Sequence, residues 1–225
     1  MKELENQAAA PARAVVYKLL ADCYYPPDER TLSQAERLVR LAADLCPEAG
    51  AALDLMAAGL AAAGGAAELA VDHARLFVGP FALLAPPYGS VYLDNERRLM
   101  GASALEVEAC YREAGLELAS GFNGTPDHVA AELEFMHFLA VTELAARRDN
   151  DPVRASRFRG KQRAFLTRHL GAWAPDFTRT VEEQAHTLFY RGLAAATRIF
   201  VASDGRRLAA EAEAATEGGG GAALS

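Results

Sequence analysis

Between Asp72 and Gly101 the chain packs three prolines, three glycines and four aromatic rings into thirty residues, between flanks rich in Ala and Leu at helical spacing. Pro80, Pro86 and Pro87 each lack a backbone donor, and each pushes the preceding residue toward extended backbone. The stretch therefore cannot be one regular helix. A long apolar connection inside a compact domain is uncommon and is usually functional.

The flanks read as helices. Pro11 suits a first helical position ahead of the apolar face Val15, Val16, Leu19, Leu20 and Cys23, and Tyr24-Tyr25-Pro26-Pro27 ends it. A second helix starts from a Thr31 or Ser33 cap, turns Leu38, Leu41, Ala42 and Leu45 inward and stops before Pro47. The alanine-rich run from Ala49 to Ala67 is broken at Gly64-Gly65, and a fourth helix carries Leu69, His73, Leu76 and Phe77 to the edge of the proline segment.

Beyond it, Ser103 and Glu106 have capping-box spacing for a helix ending at Gly115. Ala119 to Gly124 is turn-rich, and Thr125-Pro126-Asp127 predicts cap, first-turn proline and first-turn acid for a stripe of Val129, Leu133, Met136, Ala140 and Leu144. Asp151-Pro152 repeats the cap-then-proline signal for a helix ending near His169 to Gly171. Trp173-Ala174-Pro175 predicts a corner, followed by a helix to Asp204-Gly205 and a short last one fading after Glu217. No stretch alternates with period two between hairpin turns, so the expectation is an all-α, single-domain bundle of about eight to ten helices. Its expected parts are a flexible N-terminus (1–10), a helical domain (11–216) and a flexible Gly-rich tail (217–225).

A net charge of −7 argues against nucleic acid as a partner. Cys23, Cys46 and Cys110 are scattered and odd in number, which indicates neither a disulfide framework nor a thiolate metal site. With no secretory signal and no strongly apolar span, the expected setting is the cytoplasm, without membrane insertion. No phosphate loop, dinucleotide fingerprint or serine-hydrolase elbow occurs, so no enzyme motif, catalytic residue or cofactor is expected.

Three features remain open on the residues alone. Glu134 with His137 and Glu183 with His186 are Glu-x-x-His pairs, the spacing of helical-bundle di-metal sites, or else solvated Glu beside half-buried His. Arg147 to Arg168 holds seven Arg and Lys161 against Asp149 and Asp151, a net +6 that is an anion-binding patch or a solvated face. In Asp127-His128, pairing would raise the histidine pKa and make a polar spot near neutral pH.

Taken together, Leu76-Phe77-Val78-Gly79-Pro80, Ala85-Pro86-Pro87-Tyr88-Gly89-Ser90-Val91-Tyr92-Leu93-Asp94, Leu99-Met100-Gly101 and Asp127-His128 followed by Glu132-Leu133-Glu134-Phe135-Met136 resemble the TorD/DmsD/NarJ-like redox enzyme maturation chaperones. Phe165-Leu166, His169-Leu170 and Trp173-Ala-Pro175-Asp-Phe177 are similar to that family's later block. The resemblance implies an all-helical cytoplasmic chaperone, not an enzyme. It would bind the twin-arginine signal peptide and apo form of a molybdoenzyme catalytic subunit and assist cofactor insertion before export. It also implies a peptide site at Leu76, Phe77, Pro87, Tyr88, Ser90, Tyr92, Asp127 and His128, with the protein a monomer or domain-swapped dimer. His73 stands where many relatives have an aromatic ring, and Thr125-Pro126 replaces a more usual Pro-Glu. The alternatives are a helical-bundle metalloprotein using Glu134/His137 and Glu183/His186, and a chaperone of a non-exported nitrate reductase-like subunit.

Overall fold

Apolar residues at helical spacing need a partner surface, and this chain supplies it by stacking helices. The computed structural model describes residues 2–79, 83–94, 99–116 and 125–219, with side chains from 10 to 214. These residues form ten α-helices: α1 (Lys2–Tyr24), α2 (Thr31–Leu45), α3 (Gly50–Ala62), α4 (Ala66–His73), α5 (Gly89–Leu93), α6 (Ala102–Glu113), α7 (Val129–Arg148), α8 (Pro152–Arg168), α9 (Leu170–Gln184) and α10 (Leu188–Gly219). The all-α expectation holds among the described residues. No single described helix is long and apolar enough to cross a membrane.

Helix α1 packs against α7 and α2, α7 against α8, and α10 lies across α3 and α9. Trp173, Tyr17, Tyr24, Tyr190, Phe177 and Phe189 are fully buried and form the aromatic centre of one continuous core. The α3–α10 crossing depends on two glycines. A Cβ on Gly59 would stand 2.1 Å from the Phe189 nitrogen, and one on Gly192 2.3 Å from that of Met56. The two backbones touch there, which only glycine permits.

The α7–α8 hairpin follows its local signals. Asn150 takes the left-handed conformation (φ 56°) just past α7, where its nitrogen bonds the Arg147 carbonyl and that of Asp151 bonds Ala146. Asp151 then caps α8, its carboxylate accepting from the Arg154 nitrogen at 2.9 Å, with Pro152 in the first turn.

Elsewhere long-range bonds displaced the expected boundaries. Helix α1 starts at Lys2 and runs through Pro11 instead of beginning there. Trp173 to Pro175 lie inside α9, since Trp173, Ala174 and Phe177 are all buried on its inner face; the corner is at His169 (φ −122°, ψ −105°). The helix expected to run on to Gly205 breaks at Ala185 to Thr187. There the buried Asp72 of α4 accepts from the His186 and Thr187 nitrogens (3.0 and 2.8 Å) and from the Thr187 hydroxyl (2.9 Å). Helix α10 then continues past Asp204-Gly205, where a break was expected. Asp204 is held there by Arg13 (2.8 Å) and the Tyr17 hydroxyl (2.7 Å). The expected Ser103 cap is replaced as well. Gly101 occupies the cap position of α6, and Asp94 accepts from the Ser103 nitrogen (3.4 Å) and hydroxyl (3.1 Å).

The expected turn at Ala119 to Gly124 and the end of the Gly-rich tail lie outside the described residues. Gly59→Ala and Gly192→Ala should each lower unfolding free energy by about 1–3 kcal/mol through overpacking at the crossing, measured by urea denaturation. Gly160→Ala, where a Cβ meets nothing within 4 Å, should be neutral or stabilising.

Candidate functional site

After α4 the chain makes a π-helical turn over Ala74–Val78 that ends at Gly79 (φ 54°), whose nitrogen bonds the Ala74 carbonyl at 2.7 Å. The wider turn puts Leu76 and Phe77 into the core, Phe77 against Tyr24, His73, Phe177 and Tyr190. The proline segment returns beside it, with the Ala85 nitrogen on the Leu76 carbonyl at 3.0 Å. Pro87 and Tyr88 run extended alongside Asp127 and His128. The Pro87 carbonyl accepts from the Val129 nitrogen (2.8 Å), and the Gly89 nitrogen bonds the Asp127 carbonyl (2.9 Å).

Asp127 closes the arrangement. Expected in the first turn of α7, it lies ahead of that helix and is fully buried, its carboxylate accepting from the Ser90 nitrogen at 2.7 Å. It thus caps α5 across the chain, while His128 caps α7, its Nδ1 accepting from the Ala130 nitrogen at 3.1 Å. Thr125, the expected cap, does not serve. Below Gly89, the Trp173 indole donates to Glu132 at 3.1 Å; a Cβ on Gly89 would sit 3.0 Å from that indole nitrogen and 3.2 Å from Glu132 Oε1.

The eight residues expected at the site therefore fall into two layers. Leu76, Phe77, Pro87, Ser90 and Asp127 are buried and build the surface; Tyr88, Tyr92 and His128 are half-buried and reach it. Tyr92 stacks on Trp173 (5.6 Å, 21°), so its ring backs onto the core. Tyr88 stands edge-on to His128 (5.3 Å, 70°), and Tyr25 of the 25–30 connection lies parallel to the same imidazole (6.1 Å, 10°). The Tyr25 hydroxyl donates to Glu134 (3.1 Å), which also receives the Lys18 ammonium (3.0 Å). The result is three adjoining rings beside a half-exposed carboxylate.

Burial governs the charges. It pushes Glu132 well above the usual carboxylate range, with the Trp173 bond opposing and Asp127 reinforcing, so this acid is neutral. Burial drives His128 down to about 4, against the pull of Asp127. The expected upward shift is thus reversed, because desolvation of the imidazolium outweighs one neighbouring carboxylate. A neutral His128 is also what the α7 cap requires, since a protonated Nδ1 could not accept.

Residues 42–179, which include both halves of this site, match the family described as nitrate reductase delta subunit. The chain belongs to that family. It is 33% identical over 128 residues to a Tat proofreading chaperone, DmsD, from Salmonella typhi, covering 57% of this chain and 56% of that protein. It is 27% identical over 221 residues to the chaperone protein TorD of Shewanella loihica, covering 92% and 98% respectively. A selenate reductase assembly chaperone protein from Thauera selenatis matches at 37% over 95 residues, 41% of this chain and 48% of that protein. The chain thus spans just over half the length of the DmsD relative and nearly all of the Shewanella TorD. A solved structure described as a redox enzyme maturation protein from Archaeoglobus fulgidus shares the fold, with a TM-score of 0.54, 24% identity, and coverage of 84% of this chain and 93% of that one.

The two Glu-x-x-His pairs are not arranged as a helix-face metal motif. Glu134 is engaged by Lys18 and Tyr25, and the His137 Nδ1 faces the Ala14 carbonyl at 2.8 Å. His186 lies past the end of α9, so Glu183 and His186 do not share a helix face. No cluster of three His, Cys, Asp or Glu side chains suited to a metal occurs among the described residues. His73 fills the aromatic seat its position implied, ringed by Phe77 and Tyr190, with Nε2 3.1 Å from the Tyr24 carbonyl. Tyr25, Glu132, Glu134 and Trp173 escaped the sequence reading as site residues. Tyr25 follows Tyr24 at the end of a helix, and Glu132 sits at an ordinary first-turn acid position.

Two titrations should act in opposite senses. Above the usual glutamate pKa of about 4.3, the unfolded chain loses the proton that folded Glu132 keeps, so this group makes stability fall as pH rises. Glu132→Gln should gain stability relative to the parent as pH rises above about 5 in urea titrations. His128 works the other way: its contribution is complete above about 6.5 and is lost as pH falls toward about 4. His128→Asn, which keeps a capping side chain, should flatten that acid limb.

Proposed function

We propose that this chain is a cytoplasmic maturation chaperone that binds the twin-arginine signal peptide of a molybdenum-cofactor oxidoreductase subunit. It holds the apo subunit back while cofactor insertion and assembly proceed, before export. The observation that carries this reading is the patch of Tyr88, Tyr25 and His128 rings beside the half-exposed Glu134 carboxylate. A twin-arginine signal has a cationic start and an apolar middle, so a receptor for it needs ring surface next to carboxylate. Tyrosines provide large contact area at low entropic cost and keep a hydroxyl at the edge. In this reading Leu76, Phe77, Pro87, Ser90 and Asp127 fix the patch from below, Tyr92 supports it through Trp173, and no residue does chemistry. The names of the DmsD and TorD relatives support a chaperone, and that of the selenate reductase assembly chaperone supports an oxidoreductase client.

The family description favours a second reading, in which the client is a nitrate reductase-like subunit that is not exported and lacks such a signal. Calorimetry with signal peptides and with the intact apo subunit of the genomically adjacent molybdoenzyme separates the two. Saturable heat with the peptide supports the first; heat with the subunit alone supports the second. Neither binding, with the chaperone folded, removes both. Tyr88→Ala should weaken peptide binding about tenfold at unchanged melting temperature. Asp127→Ala should lower both affinity and melting temperature, because its carboxylate fixes the Ser90 backbone.

A further inference from the structure

At the far end of α7 from the peptide patch lies a cavity of about 380 Å³, within the range of small-molecule sites. Sixteen residues of mostly helical chain separate Asp127 from Glu143, about 24 Å along the axis, so the two sites are distinct. One wall is apolar, with Leu45, Leu144 and Phe200. The other is charged, and its arginines come partly from the basic segment that the peptide patch leaves unused.

Counting donors and acceptors there gives an unbalanced result. Glu143 is buried, and both its oxygens are engaged: Oε1 accepts from Arg147 (2.5 Å) and Arg159 (2.9 Å), Oε2 from Gln162 (2.6 Å). These bonds hold it below the usual carboxylate range despite burial, so it stays ionised. Asp204 is also saturated, with Oδ2 on Arg13 (2.8 Å) and Tyr17 (2.7 Å) and Oδ1 on Arg207 (2.9 Å).

The arginines are not saturated. Each guanidinium carries five N–H donors. Arg159 donates to Glu143 through Nε alone, leaving both terminal nitrogens unmatched, and Arg147 leaves Nη1. Arg207 donates through Nε to Asp204 and through Nη1 to Glu211, while its Nη2 is buried with no partner among the described residues. Glu211 Oε2 accepts no hydrogen bond among the described residues and stands in a looser ion pair, 3.7 Å from Arg159 Nε. Arg207 Nη2 is sealed from the cavity, but Arg147 and Arg159 are part-exposed at its wall, so their spare donors are open to a ligand that accepts.

We propose that this cavity binds a small organic oxyanion, a molecule with a phosphate or carboxylate group held by Arg147 and Arg159 and an apolar part lying on Leu144 and Phe200. Guanidinium forks recognise both anions in the same way, so the two sources share one chemistry. The site owes nothing to the signal-peptide reading and survives its failure.

The test is calorimetric titration of the whole chain with inorganic phosphate, citrate and phenyl phosphate, at ionic strength held constant with sodium chloride. Saturable binding at one site is expected. Phenyl phosphate should bind about tenfold more tightly than phosphate, since its ring covers the apolar wall. A preference for phosphate or for citrate then identifies the anion. Arg159→Gln should weaken binding at least about tenfold. Leu144→Trp, which fills the cavity and leaves every arginine in place, should abolish it at unchanged melting temperature. If Arg159→Gln fails to fold, Leu144→Trp decides alone. No saturable heat with any of the three anions overturns the proposal, as does unchanged affinity in either folded variant.

Discussion

Three buried or half-buried aspartates cap helices other than their own, and the course of the chain between α4 and α10 rests on those bonds. Asp72 takes the His186 and Thr187 nitrogens ahead of α10, Asp94 takes Ser103 in α6, and Asp127 takes Ser90 in α5. A carboxylate at a helix N-terminus satisfies free backbone donors and meets the positive end of the macrodipole. When it comes from another element, it also fixes where that helix lies. Asp72 illustrates the energetics: burial alone would raise its pKa, yet the Thr187, His186 and Arg75 bonds hold it below the ordinary value.

The Asp127 clamp gives the candidate site its character. A five-residue helix such as α5 has little stability of its own. It is held by one carboxylate, one carbonyl and the glycine that lets Trp173 and Glu132 approach from below. Tyr88, Tyr25 and His128 are therefore presented on a fixed base, and a surface that need not reorganise loses less on binding. The neutral Glu132 beneath keeps charge out of the core while bonding the indole.

Helix α7 has two ends of different chemistry. Its N-terminal end carries aromatic rings beside the half-exposed Glu134 carboxylate. Its C-terminal end, with α8 and α10, gathers guanidiniums around Glu143 and Asp204, whose oxygens are all engaged. The +6 segment thus splits: Arg147 and Arg159 turn inward onto Glu143, Lys161 meets Glu113 at 3.4 Å, and Arg157, Arg163 and Arg168 face solvent.

Sequence by itself determined the all-α class, the family and the α7–α8 hairpin, because helical periodicity, Asn150 and Asp151-Pro152 act within a few residues of themselves. It also marked the proline segment and Asp127-His128 as belonging together, through their resemblance to one family. What it could not supply was the sense of each contact. Thr125 and Ser103 carry good capping patterns, yet His128 caps α7 and Asp94 caps α6. Glu132 and Glu134 look alike as helix acids, yet one is buried under Trp173 and neutral while the other meets Lys18 and Tyr25 at the surface. The His128 shift expected from Asp127 came out reversed. Tertiary structure decided these points for one physical reason: hydrogen-bond partners and desolvation depend on what other elements bring close, and local spacing does not encode that.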